Sequence, residues 1–233
     1  VSPIQNPNAG LLLSVVEKLV PLLDRIVFVG GCASGLLLTD PGAAPVRPTI
    51  DVDAIVHIAS YLELMVLERS LRQLGFEQPH VEGAPLCRWI HGDVILDLMP
   101  TDSTILGFSN RWYPQALEDA ETVEVGGYRI RLISSPYFLA TKLDAFHGRG
   151  QFDYRMSRDI EDIVTVLDGR PLIAAEVELC ADPLQQYLKD EFSKLLLERD
   201  FMEALPGHLL PDQVSQQRAR IILERIRLIV GDR

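Results

Sequence analysis

The chain has 233 residues, 47% of them hydrophobic, a length and composition that support one large domain or two modest ones around a real core and exclude disorder as the default. Its 33 acidic against 22 basic residues leave a formal charge of -11, which excludes broad attraction to a phosphate backbone, since lysine and arginine carry that binding. Cys32, Cys87 and Cys180 lie without CxxC or Cys/His spacing, so neither zinc nor a disulfide framework is expected, and a reducing cytoplasm is the expected compartment.

Residues 11–24 place apolar side chains at helical spacing, but Glu17, Lys18 and Pro21 make the stretch too short and too charged for a membrane span. No basic segment precedes it, so a signal peptide is not expected either. "RIVFVGG" reads as a short buried strand running into a glycine turn, and "GLLL" as the start of a short helix stopped by "TDPGAAPVRP". "TIDVDAIVHI" is a strand, and "SYLELMVLERSLRQLGF" is a helix with a serine cap and a stop at Gly75. "LCRWIHGDVILDLMP" and "TVEVGGYRIRLIS" are strand pairs around the turns "HGD" and "GG". This order describes a mixed α+β sheet over residues 1–134. From residue 135 to 233 the character changes, and five segments with Ser, Asp or Pro starts read as helices, from "SPYFLATKLDAFHG" to "PDQVSQQRARIILERIRLIV".

Candidate chemistry concentrates in "VGGCASGLLLTDPGAAPVRPTIDVDAIV". Side chains two apart on a strand share a face, so Asp51 and Asp53 project together, their Cα atoms roughly 6.6 Å apart. Both could reach one ion, and Mg²⁺ suits such a place because it takes a few carboxylates and is completed by substrate phosphates. A third carboxylate comes from "DVILDLMP", where Asp93 falls in the turn and Asp97 within the strand, which makes Asp97 the candidate. Gly30 and Gly31 at the end of the first strand would let backbone N–H groups approach a phosphate. An alternating pair of aspartates is by itself most often a solvated face, and a lone glycine pair most often a plain turn. The ordered set is more specific than either.

The set "VGGCASG…RPTIDVDAIV" followed by "VILDLMP" resembles the nucleotidyltransferase superfamily of DNA polymerase β type. The stretch "LATKLDAFHGRGQFDYRMSRDIEDIVTVLDGR" is similar to the AbiEii-like toxin nucleotidyltransferases, and the resemblance spans roughly residues 26 to 170. It implies a small mixed-sheet nucleotidyltransferase core with flanking helices, followed by a C-terminal helical region. It also implies that Gly30, Gly31 and Ser34 cradle NTP phosphates, and that Asp51, Asp53 and Asp97 hold two Mg²⁺ ions. Lys142 then matches a phosphate-contacting lysine, and Asp159, with or without Asp162, an acidic helix. Gly31 replaces the serine of the family's GS variant, so a hydroxyl contact to phosphate falls to Ser34 or is absent.

Helical geometry puts Lys142 at the border of a buried stripe formed by Leu139, Leu143 and Phe146. It puts Asp159 at the edge of the stripe of Ile160, Ile163, Val164 and Leu167, with Asp162 nearly opposite and facing solvent. Arg47, in the loop before the aspartate pair, is a candidate phosphate contact in a flap, or the partner of an acidic neighbour. His147, Arg149 and Arg155 are candidate nucleotide or RNA contacts in a segment that a polar loop explains equally. The expected activity is Mg²⁺-dependent transfer of a nucleoside monophosphate from an NTP to a hydroxyl, and the resemblance implies tRNA or protein as acceptor, in the toxin of a toxin-antitoxin pair with a cognate antitoxin. A catalytically inactive nucleotide- or partner-binding member and an aminoglycoside-type enzyme acting on a small molecule are the alternatives.

Overall fold

The computed structural model describes residues 6–149 and 152–232. The chain divides into two compact units, one made of Pro7–Gly35 and Arg47–Ser134, the other centred on Leu36–Val46 and the region from Ser135 onward.

In the first unit the elements are α1 (Ala9–Lys18), β1 (Ile26–Val29), α2 (Gly30–Leu37, which runs on past Gly35), β2 (Asp51–Val56), α3 (Tyr61–Gln73), β3 (Arg88–His91), β4 (Val94–Pro100), α4 (Ser103–Leu106), α5 (Tyr113–Glu118), β5 (Glu121–Val125) and β6 (Tyr128–Leu132). The six strands form one mixed sheet in the order β3-β4-β2-β1-β6-β5. β2 runs antiparallel to β1 and parallel to β4, and β1 runs parallel to β6. The mixed α+β sheet expected from the sequence is therefore present.

Turn chemistry sets the registers of the two outer hairpins. Between β3 and β4 the two-residue loop has Gly92 at φ 59°, with Asp93 not in the positive-φ region, the pattern of a type II′ turn. Between β5 and β6, Gly126 and Gly127 both have positive φ, at 59° and 86°, the pattern of a type I′ turn. Their central residues suit the right-handed twist of the flanking strands. The middle of the sheet is a solid apolar layer, in which Ile26, Val27, Phe28, Val52, Ala54, Ile55 and Leu96 are fully buried. α3 starts where Ser60 accepts a hydrogen bond from the Glu63 N–H and ends before Gly75, whose φ is 85°.

One boundary differs from the expected one. The helix expected to begin at "GLLL" begins five residues earlier at Gly30, so the glycine pair is the first turn of α2 rather than a loop ahead of it. Gly30, at φ 69°, makes the corner between strand and helix, and the buried Cys32, Ala33 and Leu37 hold the helix down.

The second unit carries α6 (Ser135–Arg149), α7 (Arg158–Gly169), α8 (Ile173–Glu178), α9 (Asp182–Leu197), α10 (Arg199–Ala204) and α11 (Gln213–Val230). Between α9 and α10 the chain breaks at Glu198, whose backbone is extended at φ -80° and ψ 112° and whose carboxylate caps the Asp200 N–H of α10. α11 is opened by Asp212, which accepts from the N–H groups of Val214 and Ser215 at 3.0 Å each, and closed by Gly231 at φ 95°. Leu36–Val46 belongs to this unit because the N–H groups of Thr39 and Asp40 both donate to the Gly169 carbonyl at the end of α7. Arg218 of α11 adds bonds to Asp40 Oδ2 at 2.7 Å and Asp168 Oδ1 at 2.6 Å.

Candidate functional site

β2 and β4 are parallel neighbours in which Asp53 faces Asp97 and Asp51 faces Ile95. Because strand side chains alternate, Asp51, Asp53 and Asp97 stand on one face of the sheet. Val52 and Leu96, a register pair on the other face, are fully buried. The side chain of Asp97 is 12% exposed and that of Asp51 28%. Thr49 donates its hydroxyl to Asp51 Oδ1 at 2.8 Å and fixes that rotamer.

Asp53 lies against Gly30. A side chain at position 30 would put its Cβ 2.6 Å from Asp53 Cγ, so the carboxylate stands where only glycine leaves room. Gly30 thus serves twice, as the corner of the strand-to-helix turn and as the floor under Asp53. Gly31 is buried in the first turn of α2. Ser34 is also buried, and its hydroxyl donates to the Gly31 carbonyl at 2.7 Å. The proton of the Ser34 hydroxyl is therefore used inside the helix, on the carbonyl one turn back.

The sequence reading missed Arg88. It stands opposite Asp97 in the β3–β4 register, and its Nε and Nη2 donate to Asp97 Oδ1 at 2.8 Å and Oδ2 at 2.6 Å, a two-pronged contact. The same Nη2 reaches Asp51 Oδ2 at 3.4 Å. Asp97 and Asp51 hold the guanidinium firmly protonated, the Asp97 hydrogen bond being the larger cause, with burial opposing it. The signal for Arg88 was present in the hairpin: counting outward from Gly92 and Asp93 brings position 88 opposite 97.

Carboxylate oxygens on one sheet face are the donors that suit Mg²⁺, so the residues fit a hard divalent ion by type. Among the described residues, however, no three His, Cys, Asp or Glu side chains are grouped as a metal site. Arg88 brings a positive charge against Asp51 and Asp97. Two thiols complete the surroundings. Burial, and then the charges of Asp53 and Asp51, push the Cys32 thiol up to about 12. Burial, followed by the charge of Asp97, pushes Cys87 up to about 11. Neither is a nucleophile at neutral pH.

The other predicted residues belong to the helical unit. Lys142 of α6 places its Nζ 2.6 Å from Asp162 Oδ2 and 3.3 Å from Asp159 Oδ1, with all three side chains at least nine-tenths buried. Asp162 is therefore not the solvent-facing residue expected, and it is the nearer partner of the lysine. The cause is that α7 is covered by α6 and by α11, so the side of α7 opposite its apolar stripe is buried as well. Arg47 is half-buried, and its carbonyl accepts from Asn8 Nδ2 at 3.0 Å. The loop expected to act as a flap is tied down at its first half through Asp40 and Arg218. His147 meets Glu191 at 2.5 Å, and Arg155 meets Glu203 at 3.3 Å. The side chain of Arg149 lies outside the described residues.

No family model and no curated protein sequence matches the chain. Solved structures do. An antigenic nucleotidyltransferase-like protein from Paracoccidioides brasiliensis aligns with a TM-score of 0.53 at 21% identity, over 86% of this chain and 92% of that one. A structure described as a putative nucleotidyltransferase from H. pylori aligns with a TM-score of 0.48 at 16% identity, over 96% and 93%. The first alignment shows that the fold is nucleotidyltransferase-like.

Proposed function

We propose that the chain transfers a nucleoside monophosphate from an NTP to a hydroxyl group, with pyrophosphate leaving. The observation that carries this reading is the register of β2 and β4, which stands Asp53 beside Asp97 and Asp51 on the same face. Asp51, Asp53 and Asp97 would hold Mg²⁺, which when bound supplies neutralisation of the phosphate oxygens and of the leaving pyrophosphate. The start of α2 offers the N–H groups of its first turn and a favourable dipole to the triphosphate, and Gly30 and Gly31 add no side chains there. The acceptor oxygen bonds to the α-phosphorus as the bond to pyrophosphate breaks, and a carboxylate of the acidic face takes up the hydroxyl proton. Lys142 is left out of these steps, since its charge is already matched by Asp159 and Asp162.

The acceptor in this proposal is tRNA or a protein, in a cytoplasmic toxin with a cognate antitoxin. Among the described residues no helix is long and apolar enough to cross a membrane. The net charge of -11 favours a second reading, in which the acceptor is a cationic small molecule of aminoglycoside type. Incubation with each radiolabelled NTP, Mg²⁺ and either total tRNA, cell lysate or an aminoglycoside, beside Asp51→Ala, decides among these. Label should enter one acceptor class with the native protein and fall by at least about a hundredfold in the variant, as expected when transition-state charge stabilisation is lost. Equal labelling by both proteins, or none by either, rejects the proposal.

A further inference from the structure

Arg88 is more than an ornament of the acidic face. It lies on β3, at the edge of the sheet, and its guanidinium spans β4 to reach β2. Its fork takes one hydrogen bond on each oxygen of Asp97, and the same group touches Asp51. Asp51 Oδ1 is meanwhile occupied by the Thr49 hydroxyl, so both oxygens of both carboxylates are already engaged. The side chain of Arg88 is 26% exposed, which leaves it room to move outward. A divalent ion needs oxygen lone pairs at about 2.0–2.1 Å and ordered coordination geometry. It is also repelled by any fixed positive charge held against its ligands.

From these contacts we infer that Arg88 is an internal counter-cation, which occupies Asp97 and Asp51 and is displaced from them when a divalent ion binds. Arg88 is a positioning residue: it sets how tightly the acidic face takes a cation, and touches no reacting atom. The inference rests on the reading of Asp51, Asp53 and Asp97 as the metal-holding set. It leads to an outcome opposite to the usual one for an active-site substitution. Removing Arg88 strengthens cation binding.

The test is titration of the full chain with Mn²⁺, counting free Mn²⁺ by electron paramagnetic resonance, for the native protein, Arg88→Met, Arg88→Lys and Arg88→Met combined with Asp97→Asn. Arg88→Met should bind Mn²⁺ about tenfold more tightly than the native protein, since repulsion of a dication by an adjacent fixed charge is lost. Arg88→Lys keeps the charge but lacks the fork, and should fall between the two. The double variant should lose the gain. Unchanged or weaker binding by Arg88→Met, with binding abolished in the double variant, overturns the role of Arg88 and leaves the metal-holding set standing. Binding by none of the proteins overturns both. If Arg88→Met does not fold, Arg88→Lys decides alone: tighter binding supports the displacement, and equal or weaker binding overturns it.

Discussion

A single glycine governs how far one catalytic candidate can be changed without losing the fold. Gly30 has φ 69° and lies under Asp53, so Gly30→Ala meets two obstacles, one in its own backbone and one in its neighbour. The backbone part alone costs about 1–3 kcal/mol for a non-glycine residue. Thermal or denaturant unfolding should show Gly30→Ala destabilised by more than that. Combining it with Asp53→Ala should recover only the part due to the clash, and full recovery would mean that the backbone conformation costs nothing. Much of this neighbourhood was legible in the sequence: the two-residue period placed Asp51 and Asp53 together, and the position of Asp97 within its strand separated it from Asp93. Arg88 was legible too, by counting across the hairpin, but a search for acidic residues passes over their counter-charge. The inward turn of Ser34 was not legible, because serine can bond to its own helix or point away from it, and only packing selects.

Among the elements, α7 is where periodicity misled. The rule that the side opposite an apolar stripe faces water holds for a helix with one covered side, and α7 is covered by both α6 and α11. Asp162 is left 1% exposed, and Lys142 reaches it with its ammonium group at 2.6 Å. Breaking such a buried pair by removing one partner costs about 3–5 kcal/mol, so Lys142→Met should lower stability by that order. The triple change Lys142→Met, Asp159→Asn and Asp162→Asn removes the charges together and should restore most of the loss. Chemical denaturation of the two variants measures this, and equal losses in both would show that the lysine stabilises by packing alone. The split between α9 and α10 was likewise hidden, since the helical apolar pattern runs through Glu198 and the local signal is only a carboxylate two residues before the N–H it caps.

For the molecule as a whole, composition and turn signals put a change of period near Ser135, and the last strand ends at Leu132 with α6 beginning at Ser135. They gave no sign that Leu36–Val46 is grouped with the later half, since that grouping rests on pairings more than a hundred residues apart. Asp40 shows how acid should act on this connection. The hydrogen bond from Arg218 holds the Asp40 carboxyl below the usual carboxylate range, against the opposing effect of burial. A carboxyl lowered on folding contributes stability at pH values above its unfolded pKa and loses it as pH falls through its folded one. Stability measured from neutral pH downward should therefore decline for the native chain in the region below about pH 4. Asp40→Asn should be less stable at neutral pH and should show a shallower decline, whereas parallel curves would assign the acid sensitivity to other groups.

The grouping of Leu36–Val46 with the helices also bears on how such a gene can be rearranged. Because each unit is built from separated stretches of chain, no single cut in the reading frame yields either one whole. A fragment beginning at Ser135 would carry Arg218 without Asp40, and the complementary fragment would carry Asp40 without Arg218. Either fragment expressed alone would therefore leave one member of that ion pair without the other.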